Sequence, residues 1–163
     1  MVSYHPLALE TLGMTTLYQF AGSHYCEIAR WALDYKKVTY NVTNLIPGPH
    51  MKTVNALVKS SQVPLLVGRE KVVQGSDAII SYLDTTTKFP LLKPNDPEAR
   101  SMAHEWERYL DRNVGVPLRL LFYHEALNDR KLATKFLLTG TAWWGALSTL
   151  LLSSRFGGKC ENS

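Results

Sequence analysis

Two residues that could carry chemistry, Ser23 and Cys26, lie three positions apart in the stretch YQFAGSHYCEIARWAL. A predicted strand gives way to a predicted helix at this point, and the free backbone N–H groups at a helix start stabilise an anion such as a thiolate. The spacing is that of a dithiol redox motif in which serine takes the place of the first cysteine. Ser23 therefore either takes part in thiol chemistry or simply caps the helix, a role in which serine is common.

Two downstream positions offer backbone groups of the same kind. Val63 and Pro64 open a predicted strand, and an X-Pro bond there can be cis, which would turn the backbone of Val63 towards a ligand. Gly75 and Ser76 begin a predicted helix, with Ser76 as its N-cap, and offer free N–H groups to a carboxylate. Asp77 follows directly and either contributes to such a site or points to solvent.

The elements that must position these residues follow from local patterns. The sequence predicts a strand at TTLYQF, a helix over residues 23–35, a strand at KVTYNVT, an irregular or helical piece over residues 51–59, a hairpin of VPLLVG and KVVQ, and a helix at GSDAIISYLD. The first helix is indicated by helical spacing of Ile28, Trp31, Ala32 and Tyr35. The predicted order is β-α-β-α-β-β-α, which by itself specifies no function.

The pattern changes after FPLLKPNDPEA. The prolines predict a stiff linker, and Asp96 before Pro97 is a typical helix start. Helix is then expected to about Ala126, with a bend near residues 115–117, and one or two further helices should follow. Four side chains of this region either line a cleft against the first domain or form an exposed charged face, namely Tyr109, Arg112, Arg119 and Tyr123.

Composition excludes several classes of protein. With 45% hydrophobic residues and four tryptophans the chain can bury a sizeable core, which argues against disorder. The net charge of +4 contains no basic run, so no nucleic-acid surface is predicted. Two cysteines, Cys26 and Cys160, make no disulfide framework and suit a reducing cytoplasm. The apolar residues 136–152 are too few for a membrane span and predict a buried helix pair rather than membrane association.

The stretches SHYCEIARWAL, QVPLL and GSDAIISYLD, in this order and spacing, resemble the N-terminal domain of glutathione S-transferases. SHYCEIARWALD is particularly similar to a group of bacterial glutathione S-transferase-like proteins. The resemblance implies a thioredoxin-like α/β domain with a mixed four-stranded sheet at residues 14–89, followed by a partial all-α domain at 95–152. Residues 1–13 and 153–163 are then expected to be flexible ends.

The resemblance also implies a role for each candidate residue. Ser23 matches the family's catalytic serine or cysteine. Reduced glutathione, the co-substrate, would be held by Val63, Pro64, Gly75, Ser76 and Asp77. The backbone of Val63, before the cis-proline position, would hold the cysteinyl part, and Ser76 would hold the γ-glutamyl carboxylate. Gly75 departs from the family's acidic residue and offers no side-chain carboxylate.

A serine at the catalytic position implies conjugation rather than redox chemistry. A cysteine there would form a mixed disulfide with glutathione, whereas a serine hydroxyl can donate a hydrogen bond to the glutathione thiolate. A charge-assisted bond of about 1.5–3 kcal/mol would lower a thiol pKa from about 8.5 to about 7. The chain would thus activate glutathione for attack on an electrophilic substrate, with Tyr109 and Arg112 in the substrate cleft and no metal.

Two other functions stay open at this stage. The chain could be a non-catalytic module of the same fold, used for binding or assembly, because Gly75 lacks a carboxylate and the helical region looks shortened. It could also be a glutathione-dependent thiol reductase acting through Cys26, although a small buried apolar role suits that residue better. His24 either assists proton transfer or is an exposed turn residue, and Arg30 is expected to pair with a carboxylate in the core.

Assembly and location are implied in the same way. The family resemblance points to a cytoplasmic homodimer whose small-molecule partners are glutathione and an electrophile. A shortened helical domain would leave apolar surface uncovered, which favours dimerisation. Met14, directly before the first strand, is a candidate for the functional start of the chain.

Overall fold

The computed structural model describes residues 15–134 apart from 70, 88, 89 and 130. The first part contains the strands β1 (Thr16–Gln19), β2 (Asn41–Asn44), β3 (Leu65–Val67) and β4 (Val72–Gln74) and the helices α1 (His24–Tyr35), α2 (His50–Asn55) and α3 (Ser76–Thr86). The second part contains α4 (Pro97–Leu110), a π-helical segment (Asp111–Gly115) and α5 (Val116–Asn128). The predicted β-α-β-α-β-β-α order is confirmed.

The four strands form one mixed sheet in the order β2-β1-β3-β4. Strand β1 runs parallel to β2 and antiparallel to β3, and β4 returns antiparallel to β3 as the predicted hairpin. Leu17 is paired with Leu66, and Leu66 with Val73, so these buried side chains form a row on one face of the sheet. This is the arrangement expected of a thioredoxin-like domain.

Strand β2 begins later than the predicted strand KVTYNVT. The Lys36 N–H donates to the Ala32 carbonyl and closes α1, and Lys37 then takes a positive φ of 55°. A residue in the left-handed region cannot continue a strand. The extended backbone therefore starts only at Asn41.

Helix α1 buries a different face from the one that its apolar spacing indicates. Ile28, Trp31 and Tyr35 are 39%, 68% and 55% exposed. The buried side chains of the helix are Cys26, Ala29, Ala32 and Leu33. Small residues allow the helix to approach the sheet and α3 closely, so the bulkier stripe is left outside. Of the four residues whose spacing indicated the helix, only Ala32 is buried.

The two helix starts next to the candidate residues differ. Ser23 is the N-cap of α1, as predicted, but its Oγ accepts the Cys26 N–H over 3.5 Å, which is long for a hydrogen bond. The N-cap of α3 is Gly75 rather than the predicted Ser76. Gly75 has a φ of 93°, a conformation that glycine adopts without steric cost, and Ser76 is the first helical residue.

A buried ion pair joins the end of α1 to α3. The Lys36 Nζ lies 2.7 Å from Asp84 Oδ1, with the two side chains 1% and 11% exposed. Asp84 also accepts the backbone N–H groups of Leu92 and Lys93, each at 2.9 Å. One carboxylate therefore fixes α1, α3 and the linker that leads to the helical region.

The helical region begins as its sequence predicts. Asp96 caps α4 by accepting the Ala99 N–H at 2.8 Å, and Pro97 occupies the first turn. A π-helical segment, in which the Val116 N–H bonds to the Asp111 carbonyl, precedes residues 115–117, where the sequence predicts a bend. No residue of α4 is buried within the described part of the chain.

Several predictions fall on residues outside the described range. These are the flexible ends, the start at Met14, the helix pair over 136–152 and the position of Cys160. We propose 14–89 and 95–152 as the limits of the two domains, as the sequence suggests. Among the described residues, no helix combines the length and the apolar character needed to cross a membrane.

Candidate functional site

A cavity of about 690 Å³ lies between the first domain and α5. Of the six residues that the family resemblance assigned to catalysis and glutathione binding, five line it, namely Ser23, Val63, Pro64, Gly75 and Ser76. They come from three separate parts of the chain: the start of α1, the loop before β3 and the start of α3. The fold therefore assembles them into one site.

The Ser23 hydroxyl is available to a ligand as a donor. Among the described residues its oxygen accepts the long bond from the Cys26 N–H, and its hydrogen, which lies within reach of the Cys26 thiol, can instead be donated to a ligand. The Ser23 carbonyl accepts the Glu27 N–H at 2.9 Å, so the first turn of α1 is formed directly behind it. The earliest N–H groups of a helix have no intrahelical partner and favour an anion. Ser23 thus combines a hydroxyl donor with an anion-stabilising helix start.

The loop before β3 and the start of α3 are tied together. The Val63–Pro64 peptide bond is cis, as the sequence suggested, and Pro64 is buried. The Gly75 N–H donates to the Pro64 carbonyl at 2.9 Å, and the Gly75 carbonyl accepts the Ile79 N–H at 3.0 Å. The backbone of Gly75 is therefore already engaged, which leaves the Ser76 N–H and hydroxyl for a ligand. Among the described residues, Asp77 is not part of the cavity wall and forms an ion pair with Lys93.

Cys26 occupies the predicted small apolar position in the core. It is fully buried and is not among the described residues that line the cavity. Burial raises the pKa of the Cys26 thiol, and the opposing effects of Ser23, the Phe20 backbone and Arg30 do not offset it. A neutral buried thiol is a poor nucleophile. Arg30 pairs with Glu27 on the same helix, at the surface and not in the core as expected.

The first turn of α1 contacts the helical region through Tyr25. Its hydroxyl donates to the Asp111 carboxylate, and its ring lies 3.9 Å from the His24 ring. Burial and the hydrogen bond to Asp111 raise the pKa of Tyr25, while the nearby Arg119 lowers it less. The hydroxyl therefore stays protonated and acts as a donor to the carboxylate.

Gly115, in the π-helical segment, lies close to this turn. A Cβ at this position would lie 3.1 Å from Asp111 Oδ1 and 3.2 Å from His24 Nε2. The glycine therefore allows the helical region to pack directly on His24. The sequence offered two roles for His24, and the structure places it in the cavity wall with a buried Nε2, not as an exposed turn residue.

Helix α5 forms the wall of the cavity contributed by the helical region. The side chains that it places there are Leu118, Arg119, Phe122 and Tyr123. Of the four residues suggested for a cleft, Arg119 and Tyr123 therefore reach the cavity. Tyr109 and Arg112 lie instead in a separate depression with Glu105, Arg108 and Asn113. They belong to α4 and the π-helical segment, so the structure does not bring them to Ser23.

His50 is a cavity residue that the sequence did not reveal. Its Nδ1 accepts the Gly48 N–H at 3.0 Å, so its Nε2 carries the hydrogen donated to the Ser61 carbonyl at 3.0 Å. Burial lowers the pKa of His50, which keeps the ring neutral. Its ring also packs edge-on against Phe20. The only local signal is the turn LIPGPH, and the sequence of that turn does not predict which distant residues His50 contacts.

One cluster of possible metal ligands lies outside the cavity. The ligand atoms of Asp77, His104 and Glu107 lie within 4.8 Å of one another. Asp77 is already paired with Lys93, and Glu107 accepts a contact from His104 at 3.2 Å. His104 and Glu107 are exposed. These residues therefore form a surface ion-pair group that does not fit a built metal site.

Comparison with known proteins identifies relatives of the first domain. A family model described as glutathione S-transferase, N-terminal domain, matches residues 17–96. Glutathione S-transferase U17 of Arabidopsis thaliana is 33% identical over 96 residues, which cover 55% of this chain and 41% of that protein. The chain spans less than half the length of the curated relatives that it matches.

Solved structures share the fold over a longer stretch. The Tau class glutathione S-transferase of mango, Mangifera indica, has a TM-score of 0.52 at 20% identity and covers 87% of this chain and 58% of its own. A glutathione S-transferase of Ceriporiopsis subvermispora, solved in complex with glutathione, has a TM-score of 0.55 at 17% identity, with coverages of 89% and 61%. At these identities the likeness shows the fold, a thioredoxin-like domain followed by helices.

Proposed function

Because this chain belongs to the glutathione S-transferase family, we propose that it binds reduced glutathione beside Ser23 and activates the thiol for attack on an electrophilic substrate. One observation carries this function. The Ser23 hydroxyl, the Val63–Pro64 loop and the start of α3 line a single cavity, although they are far apart in sequence.

Recognition of glutathione is assigned to the two backbone sites. The Ser76 N–H and hydroxyl, at the start of α3, bind the γ-glutamyl carboxylate, because the helix dipole there favours a negative charge. The backbone of Val63 binds the cysteinyl part of glutathione. Gly75 adds no side chain, so binding depends on Ser76 more heavily than it would with an acidic neighbour.

Activation of the thiol is assigned to Ser23. Its hydroxyl donates a hydrogen bond to the glutathione sulfur, and this bond is stronger to the thiolate than to the thiol. The thiol proton therefore leaves to solvent more readily. The sulfur then forms a C–S bond with an electrophilic carbon held against α5, and the leaving group on that carbon departs to solvent with its electron pair. Cys26 takes no part, because it is buried and its thiol pKa is raised.

A non-catalytic binding module of the same fold is the second candidate, and Gly75 is the observation that favours it. Without a side-chain carboxylate at this position, affinity for glutathione could be too low for turnover. In either case we propose a cytoplasmic homodimer, with glutathione as the shared small-molecule partner.

Calorimetric titration of reduced glutathione into the purified chain tests the function. We expect saturable one-site binding that Ser76→Ala weakens. Ser101→Ala removes a hydroxyl from the exposed face of α4 and serves as the matched control, with no expected change. Absence of binding at millimolar glutathione would refute the proposal. Binding without turnover of any electrophile would favour the non-catalytic module.

A further inference from the structure

The described residues of the cavity wall include a positively charged side chain and no negatively charged one. Among the described residues that line the cavity there is no aspartate, glutamate or lysine, and Arg119 is the one arginine. Burial lowers the pKa of His50 and outweighs the opposite effect of the Ser61 and Ile46 backbone groups, so this ring adds no charge to the wall. The cavity therefore carries a permanent positive charge with no carboxylate beside it in the wall.

The Arg119 guanidinium is held in place without being neutralised. It lies 5.8 Å from the centre of the Tyr25 ring, within the range of a cation–π contact. Tyr25 is itself fixed by the hydrogen bond from its hydroxyl to Asp111. Arg119 forms no ion pair with any residue that the structure describes. Arg119 is exposed, and its planar set of N–H donors is available to a ligand.

The neighbours of Arg119 on α5 are apolar or aromatic. Leu118, Phe122 and Tyr123 line the same wall of the cavity. Such a wall favours a ligand with an apolar body, and the guanidinium matches a carboxylate bidentately. We propose that Arg119 is a specificity-determining residue that selects electrophiles with an aromatic body and a negatively charged substituent. This assigns a substrate class to the proposed transferase and rests on that function.

A matched pair of conjugates separates this role from glutathione binding. S-benzylglutathione and S-(para-carboxybenzyl)glutathione differ only in the charge on the aromatic group, and calorimetry measures their binding without turnover. One charge-assisted bond predicts that the wild-type chain binds the carboxybenzyl conjugate about tenfold more tightly. Arg119→Gln should abolish this preference, so that the two conjugates bind with about equal affinity, while Arg119→Lys should retain part of it. Arg108→Gln, an exposed position outside the cavity, is the control.

The outcomes distinguish the two claims. If Arg119→Gln keeps the tenfold preference for the carboxybenzyl conjugate, Arg119 does not bind the charged group of the electrophile and the inference is wrong. If the variant weakens both conjugates equally, Arg119 binds a carboxylate of glutathione itself, which also overturns the inference but leaves the proposed function standing. If the wild-type chain binds neither conjugate, the glutathione site is absent and both claims fall together.

Discussion

Ser23 is the residue at which a structural and a chemical role overlap. A capping serine normally makes a short bond to a backbone N–H of the first turn, but here the distance from Oγ to the Cys26 nitrogen is 3.5 Å. The cap is therefore weak, and removal of the hydroxyl should cost little stability. The same hydroxyl lines the cavity, where its loss would matter more.

We therefore predict that Ser23→Ala lowers kcat/KM for conjugation by about 10- to 100-fold, since one charge-assisted hydrogen bond is lost from the activated thiolate. The free energy of unfolding should fall by less than about 1 kcal/mol. Steady-state kinetics and urea denaturation on the same preparation measure both quantities. A large loss of stability with unchanged turnover would show that Ser23 is only a cap.

Cys26 provides a second prediction at this scale. Because the thiol is fully buried and burial raises its pKa, iodoacetamide should modify it far more slowly in the folded chain than in urea at the same pH. Mass spectrometry of the peptide that contains Cys26 gives the two rates. Cys26→Ala should leave conjugation unchanged. Rapid labelling of the folded chain, or loss of a thiol-reductase activity in Cys26→Ala, would support the thiol-reductase alternative.

The ion pair of Lys36 and Asp84 connects α1 to α3 and has a structural role rather than a ligand-binding one. Burial raises the pKa of Asp84, but hydrogen bonds from Lys36 and from the backbone of Leu92 and Lys93 outweigh it, and the net pKa is lowered. The carboxylate therefore contributes its stability at pH values above its unfolded pKa, about 3.9. That contribution is lost as the pH falls through the lower folded pKa.

Asp84→Asn should accordingly lower the free energy of unfolding at pH 7 by about 3–5 kcal/mol, because it leaves Lys36 buried without a carboxylate. Urea denaturation at several pH values should show that the difference from wild type shrinks below about pH 4. Asp96→Asn is the control, since asparagine caps a helix as well as aspartate. A difference that is constant across this pH range would contradict the assignment.

The strands and the start of the helical region were predictable because their signals are local. Alternating and apolar runs gave the strands, and Asp96 before Pro97 gave the start of α4. The core face of α1 was not predictable, because two apolar stripes compete and only the close approach of α3 decides between them. The contacts of His50 and of Lys36 join residues distant in sequence, and no local pattern contains such pairs.

On the scale of the whole molecule, the helical region exposes a large amount of apolar surface within the described residues. Trp106 and Leu110 lie one turn apart on α4 and are 59% and 51% exposed. Surface of this kind typically marks an interface. The homodimer expected from the sequence would be one way to cover it.

We predict that the chain self-associates at micromolar concentration and that Trp106→Glu combined with Leu110→Glu shifts it towards monomer, since a charge opposes burial of the face. Sedimentation velocity measures the distribution. Trp31→Glu, at an exposed tryptophan on α1, is the matched control and should leave association unchanged. A wild-type chain that sediments as a monomer at this concentration would rule out the dimer.

The π-helical segment also sets the angular relation between α4 and α5. Successive residues of an α-helix are rotated by about 100°, so one residue more or less turns everything downstream by that angle. Removing Asn113, whose side chain donates a hydrogen bond to the Tyr109 carbonyl and lies outside the cavity, would convert the segment towards ordinary helix. Arg119 and Phe122 would then rotate away from the cavity. A change of length in this segment would therefore turn a different set of α5 side chains towards the cavity, without any substitution in α5 itself.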